Sequence, residues 1–390
     1  MSITGLLRIL KNVVKLALLA LLIISCRESK DTSINSIISS QDQVIKSAHC
    51  LSIERKGEYS IVTIKNPWQG AENISMTYYL VKRGNIIPSG VDSSKVIYVP
   101  VNSIICMSTT HVGMISAIGE ETTIKGLSGT GFIYNPSVKQ KIRNGLIHEV
   151  GYEASLNQEL IISIYPDIVM IYGIGNESAG YVSKIKELGI NVIFNADYLE
   201  TDPLGKAEWI KLFGALYCKE NVADSIFESE VKDYNLIRDF VLEHTTDKPA
   251  VMLGLPFKDS WFISPGNSFV SKLINDAGGN YLWKNTKSSV SMPYGLENVF
   301  ITAMDADFWF NIGTVSKFSE ISLVDNRLSD LRCFKKKNLY NNNKRITEDG
   351  GNDYWESGTL HPHIILKDMA SMLHPDLFPG YEPFYYKKLE

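Results

Sequence analysis

The chain reads as an α/β protein of two lobes, each with a mostly parallel sheet flanked by helices, joined by one long backbone helix and preceded by a small β hairpin extension. Three observations predict this. Beyond about position 95, short apolar runs alternate with helical stretches, the order that calls for parallel strands with helical crossovers. Two stretches also echo each other: Asn157-Gln158-Glu159 through Tyr165-Pro166-Asp167 to Gly173, and Leu296-Glu297 through Asp305-Ala306-Asp307 to Gly313. Each joins a Glu-bearing helix to a buried strand, half of a βαβ unit. The spacing differs, since Glu159 lies eight residues before Asp167 and Glu297 ten before Asp307. Finally, Leu204 to about Glu243 is helical in pattern, broken only near Gly214 and Lys219. Val222, Ile226, Phe227, Val231, Tyr234, Ile237 and Val241 there fall near helical spacing, giving an amphipathic helix of roughly 30 Å or more.

In chain order, Arg8, Lys11 and Lys15 precede the apolar run Leu16 to Ile24, too short for a comfortable membrane span, and the run closes on Ile23-Ile24-Ser25-Cys26. This resembles a bacterial lipoprotein signal. The resemblance implies cleavage before Cys26, a diacylglycerol on its thiol, and a protein anchored to a membrane rather than spanning it. The polar Ser, Asn and Gln stretch to about Gln43 cannot build a core and reads as a tether.

The roughly 345 residues beyond it suffice for two lobes with substantial cores. A net charge of −4 and the absence of a basic stripe argue against nucleic acid as a partner. Lys335-Lys336-Lys337 reads as a solvated loop. Besides Cys26 the cysteines are Cys50, Cys106, Cys218 and Cys333, scattered without a Cys-x-x-Cys spacing, and they read as mostly free, buried thiols.

Cys50 to Lys82 alternates in strand fashion around the turn Asn66 to Gly70, which makes a hairpin. Strands follow at Val96 to Val101 and Ile104 to Met107, then the polar tip Ser108-Thr109-Thr110-His111 ahead of a helix. The first lobe continues through strands and helices to Phe194. After Pro249 the alternation resumes with Val251 to Leu255, the turn Ser264-Pro265-Gly266 and a helix through Val270 to Ala277. The boundaries are a signal at 1–25, a tether at 26–45, the hairpin extension at 46–94, an N-terminal lobe at 95–200, the bridging helix at 201–247 and a C-terminal lobe at 248–390.

From about Lys95 onward the chain resembles the class III, helical-backbone substrate-binding proteins of ABC importers, in the iron-siderophore, haem and vitamin B12 branch. The resemblance rests on the order and spacing of Met107 to His111 with Ala117-Ile118-Gly119, Asn157-Gln158-Glu159 through Pro166-Asp167, Leu188 to Val192, the helix from Pro203 to Trp209, and Asp276 to Asn280. It implies no catalysis and no resident cofactor. Ferric siderophore, haem or a corrinoid is the ligand class, an ABC importer permease is the partner, and the site of action is the periplasm at a lipid anchor. One-to-one docking with a permease implies a monomer. In the family one glutamate at each lobe tip docks with a permease arginine, and these match Glu159 and Glu297. Gln158 departs from the family's usual apolar residue between Asn and Glu. The bland reading is that each glutamate serves its own helix N-terminus.

Strand C-terminal ends are where α/β proteins bind ligands, so the candidate cleft walls are loops. They comprise Ser108, Thr109, Thr110 and His111; Thr130, Phe132 and Tyr134; and Tyr172 to Asn176. The second lobe offers Lys258 to Phe262, with Trp261 and Phe262 the leading aromatic candidates, then Trp283 and Gly313-Thr314. His111 is a candidate axial ligand to haem iron or cobalt, or a polar group at a ligand edge, set against the more ordinary reading of a capping or hydrogen-bonded structural histidine. His361-Pro362-His363 reads as a surface loop without an acidic partner close by. Asp353 to Glu356 either closes over the cleft or packs a lobe. A secreted α/β hydrolase is the alternative from another class, but no Gly-x-Ser-x-Gly elbow is present. A free-standing chelate scavenger would share the fold without needing Glu159 and Glu297, and a bare Zn or Mn site would need more ligands than His111.

Overall fold

The computed structural model describes residues 44–390 apart from 153–154 and 174–177. The signal, the lipidation candidate Cys26, nearly all of the tether, and Asn176 lie outside the described residues. The described residues belong to one compact unit. Among the described residues no helix is long and apolar enough to cross a membrane.

The N-terminal extension is larger than the expected hairpin. Strands β1 (Leu51–Arg55), β2 (Tyr59–Lys65) and β3 (Ser75–Lys82) form an antiparallel meander, and β4 (Val96–Val99) joins β3 in parallel. A parallel partner needs a crossover of about a dozen residues, which the stretch between β3 and β4 supplies. The strand expected to open the N-terminal lobe therefore belongs to the extension's sheet. Ile53, Val62, Ile64 and Leu80 share one core with Phe194 of the lobe, so the extension is packed on it. Two buried carboxylates fix the chain where the extension begins. Glu208 accepts from the amides of Lys46, Ser47 and Ala48, and Glu200 from those of His49 and Cys50.

The N-terminal lobe is built on β5 (Ile104–Cys106), β6 (Ile124–Leu127), β7 (His148–Glu149), β8 (Ile168–Ile171) and β9 (Asn191–Phe194), all parallel, in the order β7-β6-β5-β8-β9. Every residue of β5 and β8 is buried, as expected of strands covered on both faces. The C-terminal lobe uses β10 (Ala250–Leu253), β12 (Asn280–Tyr281), β14 (Phe308–Phe310), β15 (Leu339–Asn341) and β16 (Lys387–Lys388), with β16 the one antiparallel edge of β12-β10-β14-β15-β16. A separate ribbon pairs β11 (Ser260–Ile263) with β13 (Met292–Gly295).

Between the lobes run short helices at Pro203–Glu208 and Ile210–Leu216, then the 25-residue helix Glu220–His244, roughly 37 Å long. Its buried stripe serves both cores in turn. Ala223 and Phe227 belong to the N-terminal core, Tyr234 and Val241 to the C-terminal one. A spine embedded at both ends resists hinging.

The aspartates of the echo do the same job in each lobe. Asp167 accepts from the amides of Asn102 and Ser103 just ahead of β5, and Asp307 accepts from the Ala250 amide at the start of β10. Each ties the strand it precedes to the neighbouring strand of its sheet. Cys50, Cys106, Cys218 and Cys333 are all free, with Cys106 and Cys333 buried.

Candidate functional site

The lobes meet through loops that follow strand C-termini, the stretch after β6 and the stretch after β15, so the C-terminal edges of the two sheets face each other. Glu356 supplies the central contact. Its carboxylate accepts from the amides of Tyr134 (2.7 Å) and Asn135 (2.9 Å) across the junction. Burial, with help from Asp353, pushes its pKa up to about 7 against the opposing effect of those two hydrogen bonds. The helix Thr109–Ala117 runs close beneath, and a Cβ at Gly113 would overlap the Glu356 carbonyl. Lys139 pairs with Asp349 at 3.3 Å. The segment Asp353–Glu356 is thus a short helix closing the junction, with Tyr354 buried and Trp355 half-exposed.

Beside this contact lies a cavity of about 460 Å³ lined by Tyr134 of the first lobe and by Lys344, Arg345, Ile346, Glu382, Pro383 and Phe384 of the second. The Arg345 guanidinium sits 5.0 Å from the Tyr134 ring centroid and 4.1 Å from that of Phe384, held by Asp353 at 2.6 Å. Aromatic faces with a cation between them suit a large, flat or partly anionic ligand. Of the residues expected at the cleft, only Tyr134 lines this cavity. Lys344, Arg345 and Phe384 went unnoticed because they come from a polar loop and the C-terminal tail. The tail's aromatic run Phe384-Tyr385-Tyr386 was the available signal. Asp368 holds that tail, accepting from the Phe384 and Tyr385 amides and the Tyr381 hydroxyl.

The remaining candidates divide. Phe132 is half-exposed and lies against Gly350 of the other lobe. Thr130 is engaged by Glu149, whose carboxylate accepts from the amides of Gly129, Thr130 and Gly151 and from the Thr130 hydroxyl. Although partial burial works the other way, those donors hold the Glu149 carboxyl below its usual range. Ser108 caps the helix that Thr109 and Thr110 begin, accepting from the Thr110 amide, and all three are partly buried. Tyr172 packs edge-on against Tyr198, and Gly173 bridges to Trp68, so the extension's turn reaches the same sheet edge. Asn341 anchors the loop with Gly313 by donating to the carbonyls of Gly313 and Val315.

Three expectations are corrected. His111 is fully buried, both ring nitrogens lack a partner, and burial pushes its pKa down to about 3. A ring enclosed in the core offers no nitrogen to an iron or cobalt centre. Trp261 is likewise enclosed, packed against Trp309 at 5.7 Å between ring centroids with the planes tilted by 33°, its indole donating to the Leu253 carbonyl. It shapes the loop after β10 instead of facing a ligand, because strand alternation turns its neighbour Phe262 outward to 53% exposure. Trp283 is buried beside Tyr281 in the C-terminal core.

Glu159 and Glu297 are both exposed in the first turns of their helices, Gln158–Ile164 and Leu296–Ala303. Glu297 borders a groove of about 400 Å³ that includes Lys258 and Arg327, the latter 3.7 Å away. Among the described residues Glu159 has no ion pair.

Residues 104–340 match the sequence model of a family described as periplasmic binding protein. The chain is 30% identical over 312 residues to an uncharacterized lipoprotein of Methanocaldococcus jannaschii, covering 76% of this chain and 71% of that one. Its fold is similar to that of a possible iron-binding (periplasmic solute-binding) protein from Staphylococcus epidermidis, at TM-score 0.55 and 17% identity over 70% of this chain and 99% of that one. It is also similar to a periplasmic heme binding protein from Pseudomonas aeruginosa, at TM-score 0.56 and 14% identity over 74% and 98%.

Proposed function

Because the chain belongs to the periplasmic binding protein family, we propose that it captures an iron complex, a ferric siderophore or haem, between its lobes outside the cytoplasm and delivers it to an ABC importer. The family is one of solute-binding proteins, which leaves the hydrolase reading without support. The observation that carries the ligand class is the junction cavity, where Tyr134 and Phe384 flank the Arg345 guanidinium. Apolar faces would grip the body of a chelate, while Arg345 and Lys344 would meet its carboxylates or other anionic oxygens. The names of the two structural neighbours, one iron-binding and one haem-binding, point the same way at the level of fold. Glu159 and Glu297 would dock with permease arginines, Cys26 would carry the lipid anchor, and the protein would act as a monomer. The embedded spine favours modest closure on binding.

The test is a titration of the chain from Arg27 onward with ferric siderophores, haem and cobalamin, read by calorimetry and, for haem, by absorbance. Submicromolar binding of an iron complex, weakened at least roughly tenfold by Arg345→Ala or Tyr134→Ala, is expected for a guanidinium and an aromatic that both touch the ligand. Binding of cobalamin alone would transfer the assignment to a corrinoid. Iron-complex binding insensitive to both substitutions would place the ligand elsewhere.

A further inference from the structure

The long helix carries one acidic residue on its buried stripe. Glu230 lies between the part in the N-terminal core and the part in the C-terminal core, and is 5% exposed. Among the described residues no lysine or arginine pairs with it. Its Oε1 instead lies 2.8 Å from His361 Nδ1 and its Oε2 2.5 Å from His363 Nδ1. The sequence reading left His361-Pro362-His363 as a loop without an acid nearby. The structure shows Pro362 opening the helix Pro362–Leu373 and both histidines turned onto a carboxylate from more than 130 positions upstream.

A buried carboxylate is costly unless its charge is matched. Two neutral imidazoles match it only in part, and only if both carry their proton on Nδ1. A divalent cation would satisfy all three groups together, with each ring proton on Nε2 and each Nδ1 lone pair on the metal. The geometry is close to what that requires. The ligand atoms of the three residues lie within 4.8 Å of one another. Two ligands sharing a tetrahedral ion at about 2.0 Å stand about 3 Å apart, so only small shifts separate the present hydrogen bonds from coordination. The histidine side chains are 33% and 22% exposed, which leaves an open side for entry and for a water ligand. Two imidazoles and one carboxylate favour zinc over magnesium or calcium, which prefer oxygen alone.

We propose that Glu230, His361 and His363 form a site for one divalent transition-metal ion, with zinc the best match, clasping the spine to the last long helix of the C-terminal lobe. The site shares no residue with the junction cavity and stands or falls separately from the iron-complex reading.

The experiment uses the chain from Arg27 onward, stripped with a chelator and titrated with zinc by calorimetry and with cobalt by visible absorption. One zinc per chain at micromolar or tighter affinity is expected, with a tetrahedral cobalt spectrum and a melting temperature that rises with free zinc. The double variant His361→Gln/His363→Gln keeps side chains able to hydrogen-bond Glu230, and circular dichroism checks its fold. It should bind zinc more weakly by more than the roughly 10- to 100-fold that losing a mere supporting partner costs. Absence of stoichiometric zinc binding by the unaltered chain would overturn the proposal. So would an octahedral cobalt spectrum, or unchanged affinity in the folded double variant.

Discussion

In the N-terminal lobe Asp167 accepts two backbone amides and pairs with Arg83 at 2.6 Å; in the C-terminal lobe Asp307 accepts one amide and pairs with Arg332 at 3.0 Å and, more loosely, with Lys336 at 3.9 Å. The glutamates on the helices before them differ more. Glu297 has Arg327 beside it, and Glu159 has no such neighbour among the described residues. What holds a sheet together is therefore repeated between the lobes, while what faces outward has diverged. That is the pattern expected if the aspartates serve folding and the glutamates serve a partner whose two halves need not be alike.

The largest effect should come from the outward pair. Glu159→Arg with Glu297→Arg should abolish uptake in cells while leaving ligand affinity unchanged, since close interfacial charge pairs cost about 2–5 kcal/mol when broken. Retained uptake would show that the echo is only a shared way of starting a helix. The inward pair should follow. Asp167→Ala is expected to cost about 2–3 kcal/mol in urea unfolding and Asp307→Ala about 1–2, in proportion to the backbone amides left unpaired. Equal losses would break the comparison between the lobes.

Where the lobes touch, the asymmetry is chemical. At the central contact the C-terminal lobe brings the Glu356 carboxylate and the N-terminal lobe the amides of Tyr134 and Asn135. The folded protein holds the Glu356 proton up to about pH 7, whereas the unfolded chain releases it near 4.5. The folded state thus binds more protons in that window, so this group's contribution to stability falls as pH rises from about 4.5 to about 7. The loss should be about 3 kcal/mol, seen as a difference in pH slope between the unaltered chain and Glu356→Gln. Identical slopes would mean that the carboxylate is better solvated than its burial implies.

Much of this fold was legible because the central strands of its lobes are buried on both faces while the long spine helix is buried along one stripe only. Ile168 to Ile171 and Val251 to Leu253 are unbroken apolar runs, and the spine's stripe has helical period, so local pattern sufficed. It failed where the determinant was distant. β15 ends in Asn341, a polar residue that a local reading leaves in a loop, and it is fully buried because loop carbonyls after β14 accept its amide protons. The site suffered most. Tyr134 was legible as a loop aromatic after a strand, but Arg345 and Phe384 reach it only through the tertiary fold. Trp261 and Phe262 differ solely by strand alternation, and the choice between them required knowing which face of β11 meets the core. Glu230 lies more than 130 residues from the histidines it contacts, a separation no periodicity reports.

The smallest predicted effect isolates the divergence between the lobes. Arg327 is held by Asp325 through its Nε and Nη2, so it is parked beside Glu297 at low entropic cost even though the contact at 3.7 Å is loose. If a permease arginine must take its place, Arg327 is an internal competitor for the docking carboxylate, and its removal should help. Arg327→Ala should then tighten docking by roughly two- to fivefold, the scale of an exposed ion pair, with the gain shrinking at high salt. The same substitution should leave ligand binding untouched, and the gain should vanish when Glu297 is already replaced by Gln. Weaker docking instead would make Arg327 part of the recognised surface, so that the two lobes present different charge patterns and not two versions of one.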